Sequence, residues 1–70
     1  MGYSRKNLMG KIVRKVIELN ETNDFSLIID RGTYSLWNRD NQMWINQCTK
    51  ITPQNLEKTL EELNRLSKFI

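Results

Sequence analysis

Apolar positions along this chain change their period twice, and those changes predict its elements. From about Ser4 to Leu19 they recur at helical spacing. Leu8, Met9, Ile12, Val13, Val16, Ile17 and Leu19 fall on one half of a helical wheel, and Gly10, Lys11, Arg14, Lys15 and Glu18 on the other. Ser4 is the expected N-cap. Arg5 and Lys6 oppose the positive end of the helix dipole, and Gly10 costs about 1 kcal/mol against alanine. The polar run from Asn20 to Asp24 then reads as a loop.

From Phe25 the period is two. Phe25, Leu27 and Ile29 alternate with Ser26, Ile28 and Asp30. Asp30-Arg31-Gly32-Thr33 predicts a tight turn, with Gly32 free to take a positive φ. Tyr34-Ser35-Leu36-Trp37 reads as a second strand, Asn38 to Asn41 as a turn, and Gln42 to Gln47 as a third strand. Pairing Asn38 with Met43 sets Trp37 against Trp44 and Leu36 against Ile45, with Leu27 opposite Leu36 and Ile28 opposite Ser35. One face then carries Phe25, Leu27, Ile29, Tyr34, Leu36, Met43 and Ile45. The other carries Ser26, Ile28, Ser35, Trp37, Trp44 and Asn46. The first is the expected core face.

The period returns to helical after Thr52-Pro53, a capping residue followed by proline at the first helical position, where a missing N–H is harmless. Leu56, Leu60, Leu63, Ser67 and Ile70 form a stripe with Leu66 at its margin, and Glu61 is placed to pair with Arg65 four residues on. The elements predict an α+β fold in the order α-β-β-β-α. A three-stranded antiparallel meander should carry two helices, near 4–19 and 53–68, on one face. Its core should draw on Ile12, Val16, Leu27, Leu36, Ile45, Leu60 and Leu63.

Length and composition narrow the function. Seventy residues make one small domain, residues 1–70, with a marginal core. Hydrophobic residues at 39% and charged residues at 27% suit a folded domain. With no histidine, a Ser-His-Asp triad or a His-ligated zinc is excluded. The single cysteine, Cys48, allows no internal disulfide and no cysteine-rich metal site, and reads as a half-buried small hydrophobe in a reducing cytoplasm. The carboxylates are scattered over turns and one helix face, so no paired-carboxylate centre is expected. Neither a spanning helix nor a secretory leader is legible. The expectation is a non-enzymatic cytoplasmic chain with no cofactor, no metal, no membrane partner and no small-molecule substrate.

Two features remain as candidates for binding. Trp37, Trp44 and Ile28 share the outer sheet face. They either stabilise a small sheet or form an aromatic patch for a protein partner or a second copy of the chain. The first helix carries five of the cations and a local charge of +4, against +3 for the whole chain. Lys11, Arg14 and Lys15 are either a solvated face or a sequence-blind contact to nucleic-acid phosphates. Of the two binding roles, protein contact is placed first because the large aromatics lie away from the basic helix.

The order α-β-β-β-α and the length are similar to the double-stranded-RNA-binding domain. The turn Asp30-Arg31-Gly32-Thr33 lacks that family's histidine-containing loop, and the last helix opens Thr52-Pro53-Gln54-Asn55-Leu56-Glu57-Lys58 without its basic cluster, so no binding residue carries over. The chain also resembles small proteins of phages, prophages and other mobile elements of low-G+C bacteria. It does so in its abundance of Asn, Lys and Ile, its lack of Ala and His, and the stretch Asp24-Phe25-Ser26-Leu27-Ile28-Ile29-Asp30 before a tight turn. That resemblance implies accessory work: binding and blocking or redirecting another macromolecule.

Overall fold

The structure, a computed structural model, describes residues 5–68. The elements are α1 (Arg5–Leu19), β1 (Phe25–Asp30), β2 (Thr33–Asn38), β3 (Met43–Lys50) and α2 (Pro53–Ser67). The strands form one antiparallel sheet in the order β1-β2-β3, so the α-β-β-β-α meander is as predicted. The helices pack against each other, α1 over β1 and α2 over β3. The expected N-cap Ser4 and the last stripe residue Ile70 lie outside the described residues.

Local chemistry explains the boundaries. Thr52 caps α2: its side-chain oxygen accepts from the Asn55 amide, and Pro53 follows it. Arg31 and Gly32 both have positive φ, 48° and 76°, as a two-residue type I′ hairpin requires. Asn20 closes the α1–β1 loop by accepting from the Phe25 amide at 2.7 Å.

The core joins Leu8, Ile12, Val16 and Leu19 of α1, Phe25, Tyr34 and Leu36 of the sheet, and Leu56 and Leu63 of α2. Of the expected core, Ile12, Val16, Leu36 and Leu63 are buried, while Leu27, Ile45 and Leu60 are half-buried against the cluster. Ile17, assigned to the apolar half of α1, is exposed because that half of the wheel is wider than the surface the sheet and α2 cover. Ile29 and Met43 also stand exposed, since both lie at strand ends. Arg65 pairs with Glu62 rather than Glu61, three residues back instead of four.

The β1–β2 register is as predicted throughout. In β2–β3, Asn38 faces Met43 and Trp37 faces Trp44 as predicted, but Leu36 faces Asn46, not Ile45. Two irregularities between Trp37 and Tyr34 insert extra residues on β3, and Cys48 in the second has φ 48°. The first turns Asn46 from the outer face to the helix side, where its Oδ1 accepts from the Thr59 hydroxyl at 2.7 Å. The second leaves Cys48 exposed rather than half-buried, with its amide donating to Ser35 Oγ at 2.9 Å.

Candidate functional site: the outer aromatic face

Hydrogen-bond parity along β2 determines how the tryptophans meet. The Arg39 amide donates to the Asp24 carbonyl, which makes Asp24–Arg39 a hydrogen-bonded pair and alternates such pairs back along β1 and β2. Trp37 therefore points its own N–H and C=O at β1, so Trp37–Trp44 is a non-hydrogen-bonded pair of β2 and β3. Such pairs bring Cα atoms within about 4.5 Å and side chains closest. The rings accordingly meet edge to face, with centroids 4.9 Å apart and planes at 62°.

The face is half open to water. Trp44 is 40% exposed and Ile28 52%, while Trp37, flanked by Ser26 and Trp44, is half-buried. Ser35 beside them is buried, its hydroxyl taken by the Cys48 amide. Trp37, Trp44 and Ile28 thus share one surface on the side away from the helices, and the aromatic pair is its centre.

The basic residues of α1 do not form an equivalent unit. Arg14 is exposed, Lys11 is half-buried with an interaction of its own, and Lys15 lies 3.5 Å from Glu18 with its side chain 21% exposed. The three cations therefore differ in access.

A cleft of about 320 Å³ that sequence reasoning missed lies between β3 and α2. Trp44, Asn46 and Asn38 line one side, and Lys58, Glu62 and Leu66 the other. It opens where the β3 irregularities break the alternation on which sequence reading relies. Two of its side-chain oxygens are engaged within the protein: Asn38 Oδ1 accepts from the amides of Asp40 and Asn41, and Asn46 Oδ1 from Thr59.

Beneath this edge lies a buried hydroxyl pair. Tyr34 Oη lies 2.6 Å from Thr59 Oγ1 and 2.9 Å from the Asn55 carbonyl, and its one proton serves one of the two at a time. Burial raises the Tyr34 pKa above its ordinary value, and the hydrogen bond with Thr59 partly opposes that rise.

Among the described residues, no three Cys, Asp or Glu side chains converge as a metal site, and no helix is long and apolar enough to cross a membrane. No family model matches the chain, and no curated protein or solved structure matches it either.

Proposed function

We propose that this chain is a non-catalytic binding module that contacts another protein through the outer sheet face formed by Trp37, Trp44 and Ile28. The edge-to-face tryptophan pair carries the reading. It leaves a rigid aromatic surface partly in water, on a sheet held from its other side by two helices. Tryptophan has few rotamers to freeze and is among the residues most enriched at binding hot spots. The compositional likeness to phage and mobile-element proteins supports an accessory role, in which such a module blocks or redirects a macromolecule.

Phosphate contact through Lys11, Arg14 and Lys15 is the competing role, and it has less support because Lys15 already pairs with Glu18. The deciding experiment compares Trp44→Ala with a Lys11/Arg14/Lys15→Glu triple variant in capture of partners from a producing cell. If the aromatic face binds, Trp44→Ala weakens the captured complex by about 2 kcal/mol or more while the fold persists. Loss of binding in the triple variant alone, with a nucleic acid as the captured species, overturns the reading.

A further inference from the structure

The two edges of the sheet differ in a way that bears on self-association. The β3 edge is interrupted by both register shifts, carries Lys50 and borders α2. Bulges and edge charges of this kind block strand addition. The β1 edge has neither a bulge nor a charge before Asp30, although α1 packs against β1 as α2 does against β3. Its register is unbroken over six residues, its charge is confined to Asp30 at the end, and Ile28 and Ile29 are 52% and 55% exposed.

The backbone parity says which groups that edge offers. Ser26, Ile28 and Asp30 direct their N–H and C=O groups to β2, so those of Phe25, Leu27 and Ile29 point outward. Asn20 takes the Phe25 amide. Among the described residues nothing takes the outward groups of Leu27 or Ile29. Unpaired strand-edge groups flanked by exposed isoleucine are a template for another strand.

We propose that β1 pairs antiparallel with β1 of a second copy, about a two-fold axis through Ile28, to make one continuous six-stranded sheet. An axis through any residue of β1 satisfies the outward parity, but only axes at Leu27 and Ile28 pair five residues of each strand. An axis at Leu27 sets Asp24 directly against Asp30 of the second copy and requires the Phe25 amide that Asn20 holds. An axis at Ile29 sets Asp30 against Ile28. An axis at Ile28 sets Leu27 against Ile29, Ile28 against Ile28 and Ser26 against Asp30, so every outward group of Leu27 and Ile29 is paired in both copies. It also sets Asp24 opposite Gly32 of the second copy, so the Asp24–Arg39 pair of one chain lies beside the Asp30–Arg31 pair of the other and no like charges stand directly opposed. The surface is self-complementary in this register, and that selects a second copy as the occupant.

The proposal does not rest on the aromatic-face reading, although the two share Ile28, and it is tested by cross-linking. Ile28–Ile28 is a non-hydrogen-bonded pair with Cα atoms about 4.5 Å apart, within disulfide reach. Ser26 is offset from Ser26 of the second copy by four residues, about 13 Å along the strand and beyond that reach. In a Cys48→Ser background, mild oxidation of Ile28→Cys should give a disulfide-linked dimer several-fold more abundant than Ser26→Cys gives. Adding Trp44→Ala should leave that yield unchanged. Ile29→Pro, tolerated where an edge N–H faces outward, should shift the sedimentation of the otherwise native chain toward the 8.4 kDa monomer. Equal yields from Ile28→Cys and Ser26→Cys, no dimer from either, or a yield lost on adding Trp44→Ala overturns the proposal.

Discussion

Tyr34 of β2 and Thr59 of α2 join their hydroxyls at 2.6 Å inside the core. Thr59 passes its own proton to Asn46 of β3, so one chain of hydrogen bonds ties two strands to the second helix. Every buried side-chain polar atom among the described residues has a partner. This network does that for Tyr34 and Thr59, as other bonds do for buried Ser35 and Asn38. Tyr34→Phe should cost about 1–3 kcal/mol in urea unfolding, because it strips the phenol from both Thr59 and the Asn55 carbonyl. Thr59→Val removes the middle of the chain. The double variant should cost less than the sum of the two singles if the groups act together.

The same phenol makes alkaline stability a readout of the core. The Tyr34 pKa is raised in the folded state, first by burial. A group with a raised folded pKa contributes stability that is whole below its unfolded pKa, near 10, and is lost as pH rises through the folded value. Wild-type unfolding free energy should therefore decline above about pH 10, and Tyr34→Phe should flatten that part of the decline. An unchanged decline in the variant would assign it to other groups.

Burial along α2 separates two leucines that the sequence treats alike. Leu63 is fully buried and Leu60 only half. Leu63→Ala should cost about 2–5 kcal/mol, and Leu60→Ala measurably less. In a domain of this size the larger loss would leave much of the chain unfolded, visible directly by circular dichroism. Equal costs would place Leu60 in the core.

The β1–β2 hairpin offers a gain. Arg31 takes a left-handed φ of 48° with its side chain 93% exposed, at the turn position where asparagine is favoured. Arg31→Asn should raise stability by roughly 0.5–1 kcal/mol by relieving the backbone cost of a side chain that touches little. Thermal unfolding resolves a change of that size in a domain of this length. Gly32→Ala should do the reverse, since φ at Gly32 is 76°.

Most of this fold could be read from period alone. The helices and the hairpin announced themselves because Leu8, Ile12 and Val16 keep helical spacing and Leu27 and Ile29 keep alternation. Cap and turn chemistry at Thr52 and Gly32 fixed boundaries to within a residue or two. The pairing of Trp37 with Trp44 was legible because the intervening turn sets register locally. Beyond Trp44 the reading fails, since a bulge adds a residue without changing composition. Asn46 crosses to the helix side, Cys48 surfaces, and the cleft beside Asn38 opens with no trace in the alternating pattern. The β1 edge needed the structure too: which backbone groups face outward follows from hydrogen-bond parity, which side-chain type does not reveal.

The packing of α1 on α2 joins the two ends of the described chain, and the Arg5 side chain reaches the Ile51 carbonyl just before α2 begins. During synthesis the three strands emerge before α2 does, and each can pair with the strand next to it in sequence. Yet Leu8, Tyr34 and Leu36 have no apolar cover from Leu56 or Leu63 until the final helix leaves the ribosome. A nascent chain stalled with α2 still inside the exit tunnel should therefore be cut rapidly by protease. Release of those last fifteen helical residues should bring resistance in a single step.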